Sequence, residues 1–222
     1  MVAKQNDSRA RVAAVESIEA FGAEVRELRK ARQMTLTDLA SASGVSVSHL
    51  SAIERGSVCP TLGKIANIAS GLGVPEDWFF ARRTGNGPLE RTYVVRRENR
   101  RNLNLLYGET AEATGYQDKL LSASLGGAFQ MGLSDFSPYS QTVVGAQFSR
   151  DGEQHGVVLF GQLVLKLENE TITLGEGDSF SFPNEILHSI CNLSDQPARL
   201  IWANAPIIIP KYAALGTAEE TK

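Results

Sequence analysis

The sequence predicts a multi-domain chain: an all-α domain of five helices, followed by an all-β barrel. Three observations carry this. Apolar residues recur at spacings of three and four up to about residue 80. The stretch from Arg82 to Pro88, RRTGNGP, then turns abruptly to turn formers. From Tyr93 the period falls to two, in short runs between turn signals: TYVVRR, LNLLY, KLLSASL, TVVGAQFSR, QLVLKLE, ETITL, DSFSF, HSICN and ARLIWAN. The expected organisation is an N-terminal arm over 1–17, a helical domain over 18–81, a linker over 82–92, a β-barrel over 93–212 and a tail over 213–222.

Ile18, Phe21, Val25 and Leu28 form one stripe, so the first helix should run from about Glu16 to Arg32. Thr35 followed by Asp38 has the spacing of a capping box and starts the second helix. Leu36, Leu39 and Ala40 give that helix its apolar side, and Gly44 ends it where a left-handed backbone is wanted. A third helix begins almost at once: Ser46 caps it, Leu50 and Ile53 face inward, and Gly56 closes it. Its outward stripe is Ser48, Ser51, Ala52 and Arg55. Thr61 should cap a fourth helix carrying Leu62, Ile65, Ala66, Ala69 and Leu72, and Pro75 with Glu76 and Asp77 should start a short fifth through Trp78 and Phe79.

At 222 residues with a net charge of -3, the chain is ordinary in composition but uneven in charge. Residues 1–83 hold 11 Lys+Arg against 9 Asp+Glu, and the remainder 11 against 16, so only the first half suits a polyanion. Seven arginines between Arg82 and Arg101 are expected to form a solvated strand face. Cys59 and Cys191 fall in different expected domains without metal-ligand spacing, which argues against a disulfide framework and for a reducing cytoplasm. No apolar run approaches the roughly 18 residues of a membrane span.

The segment RELRKARQMTLTDLASASGVSVSHLSAIERG with the following PTLGKIANIASGLGV resembles the XRE (Cro-repressor-like) helix-turn-helix family, whose DNA-binding domain is a lambda-repressor-like bundle. The resemblance implies that the third helix enters the major groove of operator DNA and that Arg29 pairs with Glu54. A small, polar outward stripe ending in a guanidinium suits a groove about 12 Å wide. The expected DNA-binding set is Thr35, Thr37, Ser46, Val47, Ser48, His49, Ala52 and Arg55. Val47, Ser48 and Ala52 are assigned mainly to bases, and Thr35, Thr37, Ser46 and Arg55 to phosphates.

In the second half, Gly177, DSFSF, Pro183, Asn184, Glu185, His188 and Asn192 have the spacing of the second motif of the cupin family. Gly161 with QLVLKLENETITLGEGD resembles the end of the first motif. The resemblance implies a double-stranded β-helix barrel with an internal cavity. Metal-binding cupins carry two histidines and a glutamate in the first motif; here the glutamate position is Gln154, and the histidine pair falls on Phe148 and Arg150, or on Gln147 and Ser149. Only His188 remains as a ligand, so no metal and no cofactor are expected. A one-residue shift of register would turn Glu153 or His155 inward instead. The expected ligand-binding set is Gln147, Arg150, Gln154, Phe182 and His188, a lining suited to a carboxylate or sulfonate through bidentate arginine pairing.

This architecture resembles a class of bacterial regulators in which the barrel senses a metabolite and forms the dimer. The resemblance implies a homodimeric, non-enzymatic transcriptional regulator that binds double-stranded operator DNA and a small anionic effector, with no membrane association. A related enzyme that performs non-heme iron chemistry would need the His, Glu, His triad, whose first two members this sequence lacks.

Overall fold

The computed structural model describes residues 18–80, 88–106, 115–142, 152–207 and 209. The expected arm over 1–17, residues 82–87 of the expected linker, the tail over 213–222, and the candidate ligand residues Gln147 and Arg150 lie outside the described residues. The described chain divides into two compact units. The first runs to Asn99 and includes Ser122–Ala128; the second holds the remainder from Arg100.

In the first unit, α1 covers residues 18–31, α2 Leu36–Ser43, α3 Val47–Glu54 and α4 Leu62–Leu72. The helix starts follow from their caps. Thr35 Oγ1 accepts from the Asp38 amide at 3.1 Å while Asp38 Oδ2 accepts from the Thr35 amide at 2.8 Å, and both orphan donors at the head of α2 are satisfied. Gly44 ends α2 at φ 68°, a left-handed conformation that costs a side-chain-bearing residue more than glycine. Val25, Leu28, Leu39, Leu50, Ile53, Ile68 and Leu72 form the fully buried core. Burying each such leucine, isoleucine or valine contributes about 1.5–3 kcal/mol. A Cβ at Gly22 would sit 2.1 Å from the Ile53 carbonyl oxygen, so the close seating of α1 against α3 depends on glycine there.

The expected fifth helix is not an α-helix. Residues Glu76–Phe80 form a 3₁₀ helix, so residues 18–80 hold four α-helices and one 3₁₀ segment. The Trp78 amide donates to the Pro75 carbonyl at 3.1 Å, an i→i+3 bond, and burial of Trp78 fixes this tight turn. A further short helix, α5, spans Pro88–Tyr93, where part of the linker was expected. Proline at the first helical position and Glu90 in the first turn both favour a helical start.

Among the described residues of the second unit nine strands form two antiparallel sheets. They are β1 Tyr116–Leu120, β2 Gln130–Phe136, β3 Ser140–Gln141, β4 Glu153–Phe160, β5 Leu163–Leu167, β6 Glu170–Leu174, β7 Ser179–Pro183, β8 His188–Asn192 and β9 Ala198–Ala205. The five-stranded sheet has the order β1-β2-β9-β4-β7 and the four-stranded sheet β3-β8-β5-β6. Along β9, Ala198, Leu200 and Trp202 face the interior, and Trp202 lies over Gly132 of β2, where a Cβ would come within 2.2 Å of the indole. The indole Nε1 donates to Ser134 Oγ at 2.9 Å, and Ser134 Oγ donates to Asp118, so the buried polar atoms along this row are paired.

The expected strands TYVVRR and LNLLY are absent. The first stretch completes α5 and leads into a 3₁₀ turn at Arg97–Asn99, and the second contains a 3₁₀ turn at Asn104–Leu106. Asn104 explains the second case. Its Oδ1 accepts from the Asp118 amide at 2.6 Å and its Nδ2 donates to the Tyr116 carbonyl at 3.2 Å, so the backbone pairing with β1 stops at the single bridge Asn102–Lys119 and a side chain caps the strand edge beyond it. Leu103 and Leu106, three residues apart, are buried beside it. Over its described residues, 88–101, the arginine-bearing segment is therefore not a strand face; within it Arg96 pairs with Glu90. The run KLLSASL also moves: β1 ends at Leu120, two residues into it.

Candidate nucleic-acid interface and barrel site

The start of α3 is built by Ser46, whose Oγ accepts from the His49 amide at 3.4 Å. Leu50 and Ile53 are fully buried, which turns the opposite face outward by helical geometry. Ser46, Val47, Ser48 and Arg55 are exposed, while His49, Ser51 and Ala52 are half-buried. Thr35 and Thr37, at the head of α2, are also exposed. Arg55 Nη1 donates to Ser51 Oγ, one helical turn back. His49 Nε2 receives a hydrogen bond from Lys64 Nζ of α4 at 3.1 Å. Lys64 was missed in the sequence; its place at the third position of α4 was legible, but its contact with α3 is a tertiary one.

Arg29 and Glu54 meet bidentately. Arg29 Nε and Nη2 donate to Glu54 Oε1 and Oε2 at 2.7 and 2.9 Å, and Nη1 donates to the Met34 carbonyl at 2.7 Å. The side chains are only 11% and 6% exposed. The hydrogen bonds that Arg29 donates to Glu54 hold its pKa above the ordinary value, against the opposing effect of burial. The pair fixes α1 to the last turn of α3, so the outward face of α3 is held on a rigid brace.

In the barrel the register places four residues in one inward-facing row. Gln130 of β2 pairs with Asn204 of β9, Asn204 with Gln154 of β4, and Gln154 with Phe182 of β7. His188 of β8 packs its ring 4.7 Å from that of Phe182. Of the expected ligand-binding residues, Gln154, Phe182 and His188 are thus brought together, while Gln147 and Arg150 are outside the described residues. Gln130 and Asn204 were missed, although the alternation Leu200, Trp202, Asn204 along β9 gave a signal for the second.

His188 Nδ1 donates to the Ile186 carbonyl at 2.9 Å, which leaves Nε2 as the acceptor of the neutral ring. Burial pushes its pKa below the ordinary imidazole value, outweighing the Ile186 hydrogen bond. The register also answers where Glu153 and His155 lie. With Gln154 buried, both neighbours point to the opposite face, where they are exposed and bonded to each other at 3.0 Å. His155 there borders a shallow depression of about 400 Å³ with Val157, Ser179, Ser181, Ile201 and Ala203. A cupin metal centre needs imidazoles and a carboxylate converging on one point. The side chain packed on His188 is the Phe182 phenyl, whose cross-strand partner is the Gln154 carboxamide, and neither fits that group; no cluster of three ligating side chains occurs among the described residues.

A helix-turn-helix family model matches residues 25–79 and a cupin domain family model matches residues 141–204. The chain thus carries a helix-turn-helix domain followed by a cupin domain, and the relatives that match it across both are named HTH-type transcriptional regulators. Over 59 residues it is 44% identical to the uncharacterized HTH-type transcriptional regulator Rv0023 of Mycobacterium tuberculosis, covering 27% of this chain and 23% of that protein. The chain therefore spans less than a quarter of the length of the mycobacterial relatives it matches. It is 28% identical over 177 residues to the HTH-type transcriptional regulator SutR of Escherichia coli, covering 78% and 86% of the two chains. Among solved structures, an HTH_3 family transcriptional regulator from Vibrio cholerae is similar at TM-score 0.39 and 21% identity over 86% of this chain and 97% of that one.

Proposed function

We propose that this protein binds a specific operator through α3 and changes its affinity when a small metabolite occupies the barrel. The observation that carries the reading is the braced, capped α3, whose exposed face of Val47, Ser48 and Arg55 stands clear of the core. Val47 and Ala52 offer methyl groups for thymine, the serine hydroxyls are adaptable donors and acceptors, and Arg55 is placed for phosphate. With so few long side chains on this face, much of the specificity falls to DNA shape. The capped head of α2, with Thr35 and Thr37, offers further phosphate contacts.

The protein acts as a homodimer in the bacterial cytoplasm, without catalysis. A single small helical domain makes too few contacts for an affinity near 10⁻⁸ M, and two domains on one frame raise it through effective concentration. No helix among the described residues is long and apolar enough to cross a membrane. The effector is small and carries a carboxylate or sulfonate for Arg150. For it to regulate, it must bind one arrangement of the DNA-binding domains better than the other, because equal affinity shifts nothing.

The test is selection of duplexes from a random pool by the purified full chain, followed by anisotropy titration of the enriched site. Enrichment of one motif, lost with Arg55→Ala at moderate salt, supports the reading. Uniform, sequence-independent binding overturns it.

A further inference from the structure

In the barrel row, two carboxamide oxygens are buried with no hydrogen-bond partner: Oε1 of Gln130 and Oδ1 of Asn204. Gln130 is only 1% exposed. These residues are direct cross-strand partners on the inward face, and Gln154, the next in the row, is also buried. An unpaired carbonyl oxygen out of water is costly, and the neighbouring buried groups avoid that cost: Trp202, Ser134 and Asp118, along the same strands, are linked by hydrogen bonds. A few residues away His188 adds another acceptor, since its Nδ1 is committed to Ile186.

We infer that Gln130 and Asn204 are specificity-determining residues of the effector site, and that they receive an N–H or O–H donor group of the ligand, either a neutral amide or hydroxyl or an ammonium. The inference rests on the reading of the barrel as an effector site and deepens it. It adds a second requirement to the acid group expected for Arg150: the end of the effector that meets β2 and β9 is a donor. A carboxylate placed there would set acceptor against acceptor with no charge among Gln130, Asn204, Gln154 and Phe182 to offset it.

The experiment uses the full chain and three probes of one carbon skeleton: propionamide, propylammonium and propanoate. Saturation-transfer NMR reports binding, and the side-chain amide resonances of Gln130 and Asn204 report its place. Propionamide or propylammonium should bind and shift those resonances, propanoate should leave them unshifted even where it binds through its acid group, and which donor probe binds distinguishes neutral from cationic heads. Gln130→Met and Asn204→Leu should each weaken the donor probe by about tenfold, the scale of one lost hydrogen bond in a buried site. Gln130→Met should also leave the melting temperature of the free protein equal or higher, because it removes an unpaired oxygen while keeping the side chain's volume.

Propanoate shifting the Gln130 and Asn204 amide resonances as the donors do, no probe binding at all, or a lower melting temperature in Gln130→Met would each overturn the inference. Operator binding by the probe-free protein is measured separately. Its absence counts against the regulator reading and leaves the probe result to stand or fall alone.

Discussion

Two side chains show how burial decides what a residue contributes. The Arg29–Glu54 pair is bidentate and nearly excluded from water, so removing one partner strands the other charge. Arg29→Met alone should destabilise the helical unit by about 3–5 kcal/mol, whereas Arg29→Met with Glu54→Leu should cost much less. Urea denaturation of both variants measures the difference; equal losses would contradict a coupled pair. His188 behaves in the opposite sense. Because burial depresses its folded pKa below the unfolded value of about 6.5, the unfolded chain takes up the proton first, and stability falls as pH drops below that value until the folded ring also titrates. The loss of stability between pH 8 and pH 5 should therefore be smaller in His188→Gln than in the parent. An unchanged pH dependence would show that the ring is not desolvated in solution.

At the scale of elements, the helical unit was legible because its signals are local. The Thr35–Asp38 capping box, the left-handed Gly44 and the Ser46 cap are read within a few residues, and each appears in the structure at the expected position. Thr35→Ala should cost about 1 kcal/mol by the loss of one cap, read as a lower thermal midpoint. Gly22→Ala should be far more damaging, since its Cβ has no room before the Ile53 carbonyl. The segment from Tyr93 to Leu106 has apolar residues at period two yet forms 3₁₀ turns, because the period carries no trace of what an asparagine side chain bonds. Asn104 spends its amide on the edge of β1, and that bond spans 14 residues. The barrel row was half legible for a related reason: motif spacing locates Gln154 and His188, but Gln130 and Asn204 join them only through strand pairing across the sheet.

For the whole molecule, the two units divide the work proposed for them: α3 meets DNA and the barrel holds the effector. Dimerisation predicts two half-sites about one helical turn apart, or a multiple of it, on one face of the duplex. Light scattering at micromolar concentration should then give a dimer, and a monomer would contradict the arrangement.

The central claim is that the outward face of α3 contacts operator DNA, and its most direct measurement is the salt dependence of operator affinity for the parent and Arg55→Ala. If Arg55 neutralises one phosphate per protomer, the slope of log K against log salt should become shallower by about 2 in a dimer, at roughly 0.9 per contact. An identical slope and affinity in the two proteins would contradict the assignment of α3 as the helix that meets DNA.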